Sequence, residues 1–162
     1  MLNEEQYRPN VAVMVTDGHG RVLICERSDK KYGDRVQCVQ GGIDEGEDIV
    51  EAGVREMGEE LGIDPGEIMI LGVMEEKFRY KWGDDYLATL PQPVITVGQE
   101  QQYVLAMIEP GTPMNLDAHH REFTRVWWGS PLELLEGCWE MKRPGILAAL
   151  QFFDLLPVEF SK

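Results

Sequence analysis

The sequence predicts an α/β domain in which helices pack on a mixed β-sheet. Three observations lead to this prediction: a β-hairpin near the N-terminus, a strand–loop–helix unit after it, and more strand-like than helix-like segments along the chain. With 162 residues and a hydrophobic fraction of 43%, the chain is long enough to bury an apolar core. Because no linker, repeat or low-complexity segment interrupts it, residues 1–162 are expected to form one domain.

The strands are predicted from short runs rich in β-branched residues. The runs at 11–16 and 21–26 are separated by Asp-Gly-His-Gly at 17–20, a sequence typical of a hairpin turn. A charged loop is expected to follow at 27–35. The remaining expected elements are strands at 68–74, 102–108 and 123–128, a surface loop at 81–98, and a helix that begins near Pro144.

A helix is predicted for the segment that starts after Asp48. Asp48 followed by Glu51 resembles a capping box, and Gly62 followed by Pro65 is a typical helix stop. Spacings of four, three and four residues place the apolar residues in one narrow stripe along this helix. The stripe consists of Val50, Val54, Met57 and Leu61.

Three carboxylates share one face of this helix. Glu56, Glu59 and Glu60 fall within about 100° of one another, on the side away from the apolar stripe. Like charges at this spacing destabilise a helix, and so do Gly53 and Gly58, which indicates that the segment is not built for helix stability alone. Because Mg²⁺ prefers carboxylate oxygens, the cluster is either a magnesium site or a solvated acidic surface.

Composition excludes several classes of protein. Fifteen basic against 29 acidic residues give a net charge of −14, which excludes a protein that coats nucleic acid, so neither DNA nor a membrane is expected as a partner. The three cysteines lie outside any CxxC spacing, which argues against a disulfide framework or a thiolate zinc site. No signal peptide or long apolar run is visible, so a cytoplasmic protein is expected. The oligomeric state is not predictable from this sequence.

A longer pattern surrounds the three glutamates. Residues 41–63 match G-x5-E-x7-R-E-U-x-E-E-x-G-U at every specified position, where U is a bulky aliphatic residue. This segment resembles the Nudix box. The resemblance implies a Nudix α/β/α sandwich with a mixed β-sheet between helices, and hydrolysis of a nucleoside diphosphate linked to another moiety. It also implies that the helix binds the metal, with Mg²⁺ as the expected ion and Mn²⁺ as a substitute.

The resemblance extends to one branch of the family, the RNA 5′-pyrophosphohydrolases and dinucleoside polyphosphate hydrolases. It implies hydrolysis of phosphoric anhydride bonds, converting 5′-triphosphorylated RNA to 5′-monophosphorylated RNA. The alternative substrate is diadenosine tetraphosphate or another nucleoside polyphosphate. A more distant alternative is a non-catalytic, nucleotide-sensing domain, which normally has a damaged box. The motifs that carry the resemblance lie at 7–10, 40–43, 78–81, 98–103, 122–123 and 142–143.

The same resemblance implies roles for individual residues. Four carboxylates would bind the metal: Glu56, Glu59, Glu60 and Glu122. Three cations would contact the substrate's phosphates: Arg8, Arg27 and Lys142. The catalytic group would be Glu56, Glu60 and Arg55, with either glutamate as the proton acceptor. The supporting residues would be Gln40, Gly41, Gly42 and Glu47, with the two glycines expected to allow a tight turn before the helix.

Some features depart from that branch or have a simpler interpretation. Residues 36–40 are Val-Gln-Cys-Val-Gln, whereas members of that branch commonly have an aromatic-Gln-Phe-Pro-Gln stretch. This difference affects the expected choice of substrate more than the expected type of reaction. His119 and His120 are expected to be solvated rather than metal ligands. The alternating basic and aromatic residues at 77–82 indicate either a half-exposed strand or a platform for single-stranded nucleic acid. Five aromatic residues are expected in the core: Trp127, Trp128, Trp139, Phe152 and Phe153.

Overall fold

Within the residues that the structure describes, 6–29 and 35–159, seven strands form one mixed sheet; the structure is a computed structural model. The strands are β1 (Gln6–Thr16), β2 (Val22–Arg27), β3 (Val36–Gln37), β4 (Val39–Gly42), β5 (Met69–Lys81), β6 (Thr96–Met107) and β7 (Phe123–Gly129). The helices are α1 (Ile49–Leu61), α2 (Asp84–Leu87), α3 (Pro131–Gly137) and α4 (Arg143–Phe152), with short 3-10 helices at Pro65–Glu67 and Glu140–Lys142.

Strand β1 organises the sheet because it pairs with three other strands. It runs parallel to β6 along its whole length and antiparallel to β4 at residues 10–13, and its last residue, Thr16, pairs with Val22 of β2. The main order is β3-β2-β1-β6-β5, with β4 also on β1 and β7 also on β2. This register brings residues 10–13 of β1 between β4 and β6.

The core lies on both faces of the sheet. On one face α1 packs Met57 and Leu61 against Val11, Val13 and other strand residues. On the other face α3 and α4 cover a second cluster, whose largest fully buried members are Met14, Ile24, Tyr103, Leu134, Leu135, Ile146 and Leu150. Two apolar layers on one mixed sheet confirm the predicted α/β/α sandwich.

Helix α1 forms as its sequence predicts at both ends. Asp48 accepts a hydrogen bond from the Glu51 backbone, the Glu51 side chain accepts one from the Asp48 backbone, and Gly62 ends the helix at a φ of 66°. The expected orientation of the acidic face is wrong, however. Glu56 and Glu60 lie on the buried side of α1 with Met57 and Leu61, because α1 packs against β4 as well as against the core.

Other differences from the sequence predictions arise where tertiary contacts decide the local structure. Strands β3 and β4 and helices α2 and α3 were not predicted, and residues 7–10 lie inside β1 rather than before it. Residues 77–81 follow the half-exposed strand interpretation, since Lys77, Arg79 and Lys81 are exposed and Tyr80 is buried. The expected loop at 27–35 falls partly on 30–34, which lie outside the described residues.

The structure also bears on membrane association. Among the helices of the described residues, none is long and apolar enough to cross a membrane.

Gly58 is a position where α1 should gain stability. An added Cβ there would meet only the Ile63 carbonyl oxygen, at 3.8 Å, whereas at Gly53 it would lie 3.2 Å from Val13. We expect Gly58→Ala to raise the free energy of unfolding by about 0.5–1 kcal/mol, because alanine restricts the unfolded chain and favours a helix. Urea denaturation measures the change, with Gly53→Ala as the matched control that gains less. A lower stability for Gly58→Ala would show that α1 does not accommodate the added methyl group.

Candidate active site

Two cavities adjoin at strand β4 and share part of their lining. The acidic cleft, of about 450 Å³, lies at the exposed end of the carboxylates of α1. The basic pocket, of about 370 Å³, lies over the face of the sheet that α4 covers. The acidic cleft is lined by Glu56, Glu59, Glu60, His119 and His120. The basic pocket is lined mainly by Arg27, Arg35, Gln37, Tyr80, Trp82, Tyr86, Gln99, Trp139 and Lys142. Both cavities are lined by Arg8, Gln40, Gly41, Gly42 and Glu122.

The carboxylates of the acidic cleft are crowded and poorly solvated. Glu56 is only 8% exposed and Glu60 only 7%. Burial raises the pKa of Glu60 to about 9, and the charges of Glu56 and Glu122 contribute to this rise. Burial is also the main cause of the raised pKa of Glu56. Burial therefore makes these two carboxylates costly to keep charged unless a cation binds in the cleft.

Arg55 holds these carboxylates from the side of the helix. Its Nε and Nη2 donate to the two oxygens of Glu47 at 2.8 and 2.9 Å, and this bidentate contact lowers the pKa of Glu47 to about 2. Its Nη1 donates to Glu56 at 2.7 Å and to Glu59 at 3.3 Å, and its Nη2 also donates to the Gly42 carbonyl at 2.7 Å. The Arg55 guanidinium thus contacts four residues of the box: Gly42, Glu47, Glu56 and Glu59.

Gly41 and Gly42 are required for close approach and not for a turn. Both lie in β4, and neither has a positive φ. A Cβ on Gly41 would lie 2.0 Å from Cδ of Glu56, and one on Gly42 would lie 2.2 Å from Nη2 of Arg8. The prediction of a tight turn is therefore wrong. Each glycine instead leaves the space that a charged side chain occupies: Glu56 on the face of the sheet that α1 covers, and Arg8 on the opposite face.

Lys142 lies at the bottom of the basic pocket. It is 8% exposed, its Nζ donates to Oε1 of Gln40 at 2.7 Å, and it lies 5.7 Å from the centre of the Tyr80 ring. Burial lowers the pKa of Lys142 to about 8, against the opposing effect of Cys38. The backbone N–H of Gln40 donates to Glu60 at 3.4 Å, so Gln40 contacts charged groups of both cavities.

Arg27 carries hydrogen-bonding capacity that the described residues leave unused. Its Nη1 donates to Oε1 of Gln37 at 3.0 Å, and its Nη2 lies 3.9 Å from Asp29. Arg27 Nε and Gln37 Nε2 are buried and have no hydrogen-bond partner among the residues that the structure describes. Buried N–H groups without partners are rare, so oxygen atoms of a ligand fit this place.

The acidic cleft fits a hard divalent cation in its chemistry. Its donors are carboxylate oxygens, which suit Mg²⁺ and Mn²⁺, and burial raises the pKa of Glu56 and of Glu60. Across the described ranges, however, no three acidic, histidine or cysteine side chains are already gathered closely enough to hold an ion. Glu56 and Glu59 each bond Nη1 of Arg55 through one carboxylate oxygen, which leaves the second oxygen of each as a possible metal ligand.

Several residues have surroundings that differ from the sequence predictions. Trp139, expected in the core, lines the basic pocket and contacts Tyr80 edge-to-face at 5.6 Å, and Phe152 is 60% exposed. His119 and His120 are exposed, as expected, but line the acidic cleft. The alternating pattern at 77–82 was the sequence signal that could have located two of the pocket aromatics, Tyr80 and Trp82.

Comparison with known proteins decides the family. The NUDIX domain family matches residues 6–150. The chain belongs to the Nudix family. This confirms the predicted family and the predicted enzyme class, a hydrolase of pyrophosphate bonds, and Nudix hydrolases generally use divalent metals.

Curated relatives resemble this chain over most of its length. A protein named RNA pyrophosphohydrolase from Novosphingobium aromaticivorans is 35% identical over 130 residues, which cover 79% of this chain and 80% of the relative. Another of the same name, from Campylobacter jejuni, is 31% identical over 160 residues, which cover 95% of this chain and 97% of the relative.

Solved Nudix structures share the fold at low sequence identity. The E. coli dihydroneopterin triphosphate pyrophosphohydrolase superposes with a TM-score of 0.68 at 16% identity, covering 89% of this chain and 97% of that one. The C. elegans Ap4A hydrolase superposes with a TM-score of 0.63 at 16% identity, covering 92% and 99%. At this identity the likeness concerns the fold alone.

The contact between Gly41 and Glu56 gives a direct test of the acidic cleft. We expect Gly41→Ala to weaken Mn²⁺ binding about 10–100-fold, because the new methyl group displaces the Glu56 carboxylate. Titration followed by electron paramagnetic resonance of free Mn²⁺ measures the affinity. Gly111→Ala is the matched control, since an added Cβ there meets no atom within 4 Å. Equal affinities in the two variants would show that Glu56 does not depend on this glycine.

Proposed function

We propose that this protein is an Mg²⁺-dependent pyrophosphohydrolase that removes pyrophosphate from 5′-triphosphorylated RNA. The observation that carries the proposal is the junction of the two cavities at 41–42, where the buried carboxylates of Glu56 and Glu60 adjoin a pocket lined by cations, of which Lys142 is buried. A triphosphate held by the basic pocket would present its anhydride bonds to the acidic cleft. Relatives named RNA pyrophosphohydrolase, which match up to 95% of the chain, support this choice of substrate.

The metal would be held by the carboxylates of the acidic cleft, and Mn²⁺ is expected to replace Mg²⁺. When bound, the ion would activate water and neutralise charge on the phosphates. Glu122 is suited to join this site because it precedes β7 directly and lines both cavities, and its carbonyl is fixed by a hydrogen bond of 2.9 Å from the Ser28 N–H. The proposed ligands are Glu56, Glu59, Glu60 and Glu122.

The proton of the attacking water would pass to Glu56 or Glu60. Both carboxylates line the acidic cleft beside the proposed metal, where an attacking water would lie, and both remain candidates. Water would attack the α-phosphorus, and the phosphoric anhydride bond between the α- and β-phosphates would break. The products would be pyrophosphate and 5′-monophosphorylated RNA. Arg55, which was expected in the catalytic group, contacts carboxylates and a carbonyl, so we assign it a positioning role.

The phosphate chain would be neutralised by the cations of the basic pocket. Arg8, Arg27 and Lys142 all line it, and guanidinium and ammonium groups bind phosphate oxygens strongly. Phosphate oxygens would also give partners to the buried Nε of Arg27 and Nε2 of Gln37. These contacts strengthen as charge develops on the leaving pyrophosphate, which is how they would accelerate the reaction.

A dinucleoside polyphosphate is the second candidate substrate. The basic pocket contains four aromatic side chains, and Trp82 contacts Tyr86 edge-to-face at 5.2 Å. Aromatic faces bind any base by stacking, so they suit either the first bases of RNA or the distant adenosine of diadenosine tetraphosphate. The same metal-binding helix would serve both reactions.

The proposal also covers the organisation and location of the protein. We propose one Nudix domain across residues 1–162, with the Nudix box at 41–63, acting in the cytoplasm without DNA or membrane partners. The acidic composition, with a net charge of −14, supports the absence of a general nucleic-acid surface.

Replacement of the buried glutamates tests the reaction. We expect Glu60→Gln and Glu56→Gln each to lower turnover of a 5′-triphosphorylated RNA at least 100-fold, because each change removes a charged oxygen from the cleft. Release of pyrophosphate measures turnover, and circular dichroism checks the fold. Glu45→Gln is the matched control, since Glu45 is an exposed residue of the same box. Near-normal turnover in both cleft variants would rule out the proposed reaction.

The salt dependence of RNA binding tests the number of phosphate contacts. Three cations should give a slope of about −2 in a plot of log K against log salt concentration, since each contact to a single strand contributes about −0.7. Fluorescence anisotropy of the inactive Glu60→Gln variant measures it, and Lys142→Met should make the slope shallower by about 0.7. A slope of about −5 or steeper would instead indicate an extended basic surface.

A further inference from the structure

A chain of buried amide side chains runs beneath the basic pocket and ends at Lys142. Nε2 of Gln101 donates to Oδ1 of Asn10 at 2.9 Å and to Oε1 of Gln40 at 3.0 Å. The same Gln40 oxygen accepts the hydrogen bond of 2.7 Å from Nζ of Lys142. The side-chain oxygen of Gln101, Oε1, accepts a hydrogen bond of 3.3 Å from Tyr103 OH. Gln101 and Asn10 are each 2% exposed, so this chain lies in the interior.

The sheet register explains why these side chains meet. Asn10 of β1 is the direct partner of Gln101 on the parallel strand β6, and Ala12 of β1 is the partner of Gln40 on β4. Side chains two residues apart on a strand share a face, so Asn10, Gln40 and Gln101 all project toward α4. The 3-10 helix that precedes α4 brings Lys142 to the end of this row.

The donors and acceptors of the chain fix its direction. Both N–H groups of Gln101 are used, one toward Asn10 and one toward Gln40, and its oxygen accepts from Tyr103. The Gln40 oxygen is thereby held toward Lys142. A satisfied buried hydrogen bond contributes only about 1 kcal/mol of net stability, so stability alone is a weak reason for three amides at these positions. The amides are therefore best explained by what they orient.

The acceptor of Lys142 is a neutral amide and not a carboxylate. Among the described residues no ion pair involves Lys142, whereas Arg55 and Arg79 both pair with carboxylates. A neutral acceptor orients the ammonium group and leaves its charge uncompensated. A buried ammonium group without a charged partner favours binding of an anion that enters the pocket from solvent.

We propose that Gln101 is a positioning residue that acts through Gln40 to hold the Lys142 ammonium toward the substrate's phosphates. This inference rests on the proposed function of the basic pocket. Gln40 also fixes the distance between the two cavities, because its backbone N–H donates to Glu60 while its side chain accepts from Lys142. A shift of Gln40 would therefore move the ammonium group relative to the acidic cleft.

The test compares two neighbouring glutamines of β6. Gln101→Leu removes the hydrogen bond to Gln40, and the matched control Gln102→Leu removes a hydrogen bond of 3.2 Å to the Met74 carbonyl. We expect Gln101→Leu to lower kcat/KM for 5′-triphosphorylated RNA about tenfold, mainly by raising KM, because a misplaced ammonium binds phosphate less well. Gln102→Leu should change kcat/KM less than about twofold. Equal losses in the two variants would overturn the proposal.

A double-mutant cycle with Lys142→Met separates positioning from a structural role. If Gln101 acts through Lys142, Gln101→Leu should change kcat/KM less than about twofold once Lys142→Met is present. If the two losses multiply, Gln101 acts independently and the proposal is wrong. Should Gln101→Leu fail to fold, as judged by circular dichroism, Asn10→Ala takes its place in the same cycle, since it removes the acceptor that anchors Gln101.

The wild-type protein distinguishes failure of the proposed function from failure of the positioning role. Wild-type protein that neither hydrolyses the RNA nor binds inorganic pyrophosphate in calorimetry would overturn the proposed function and this inference with it. Active wild-type protein without coupling between Gln101 and Lys142 would overturn the positioning role alone. Coupling in both kcat/KM and pyrophosphate affinity is the result that we expect.

Discussion

The arrangement of the site depends on the contacts of the Arg55 guanidinium. It donates to Glu47 in the segment before α1, to Glu56 and Glu59 on α1, and to the Gly42 carbonyl of β4. One planar group with five N–H donors therefore fixes a loop, a helix and a strand relative to one another. Lysine has the same charge but not the fork-shaped geometry, which accounts for an arginine at this place in the box.

Charge separation across the sheet is the second constraint. Buried carboxylates lie on the α1 side of residues 41–42, and a pocket lined by cations lies on the α4 side. Gly41 leaves the space that the Glu56 carboxylate occupies, and Gly42 leaves the space that the Arg8 guanidinium occupies. Burial raises the pKa of Glu60 to about 9 and lowers that of Lys142 to about 8, so both groups are costly to keep charged in the absence of a ligand. Such pKa shifts cluster at functional sites.

Local signals in the sequence were sufficient for α1 and for the family. The capping box, the helix stop and the pattern at 41–63 all lie within one short segment, and the structure has both helix caps and the expected contact of Arg55 with Glu47. Strand β4 was not predictable from its composition, because Gly41 and Gly42 have low strand propensity and the strand exists through pairing with β1. The contact between Asn10 and Gln101 joins residues 91 positions apart, so only the register of β1 and β6 reveals it.

The two cavities are proposed to act together in hydrolysing the 5′-terminal pyrophosphate bond of RNA. Product analysis by chromatography tests this after incubation with Mg²⁺ and, in parallel, a short 5′-triphosphorylated RNA or diadenosine tetraphosphate, with Glu60→Gln as the blank. We expect preferential release of phosphate or pyrophosphate from the RNA. Preferential cleavage of the dinucleotide to ATP and AMP would contradict the proposed RNA substrate.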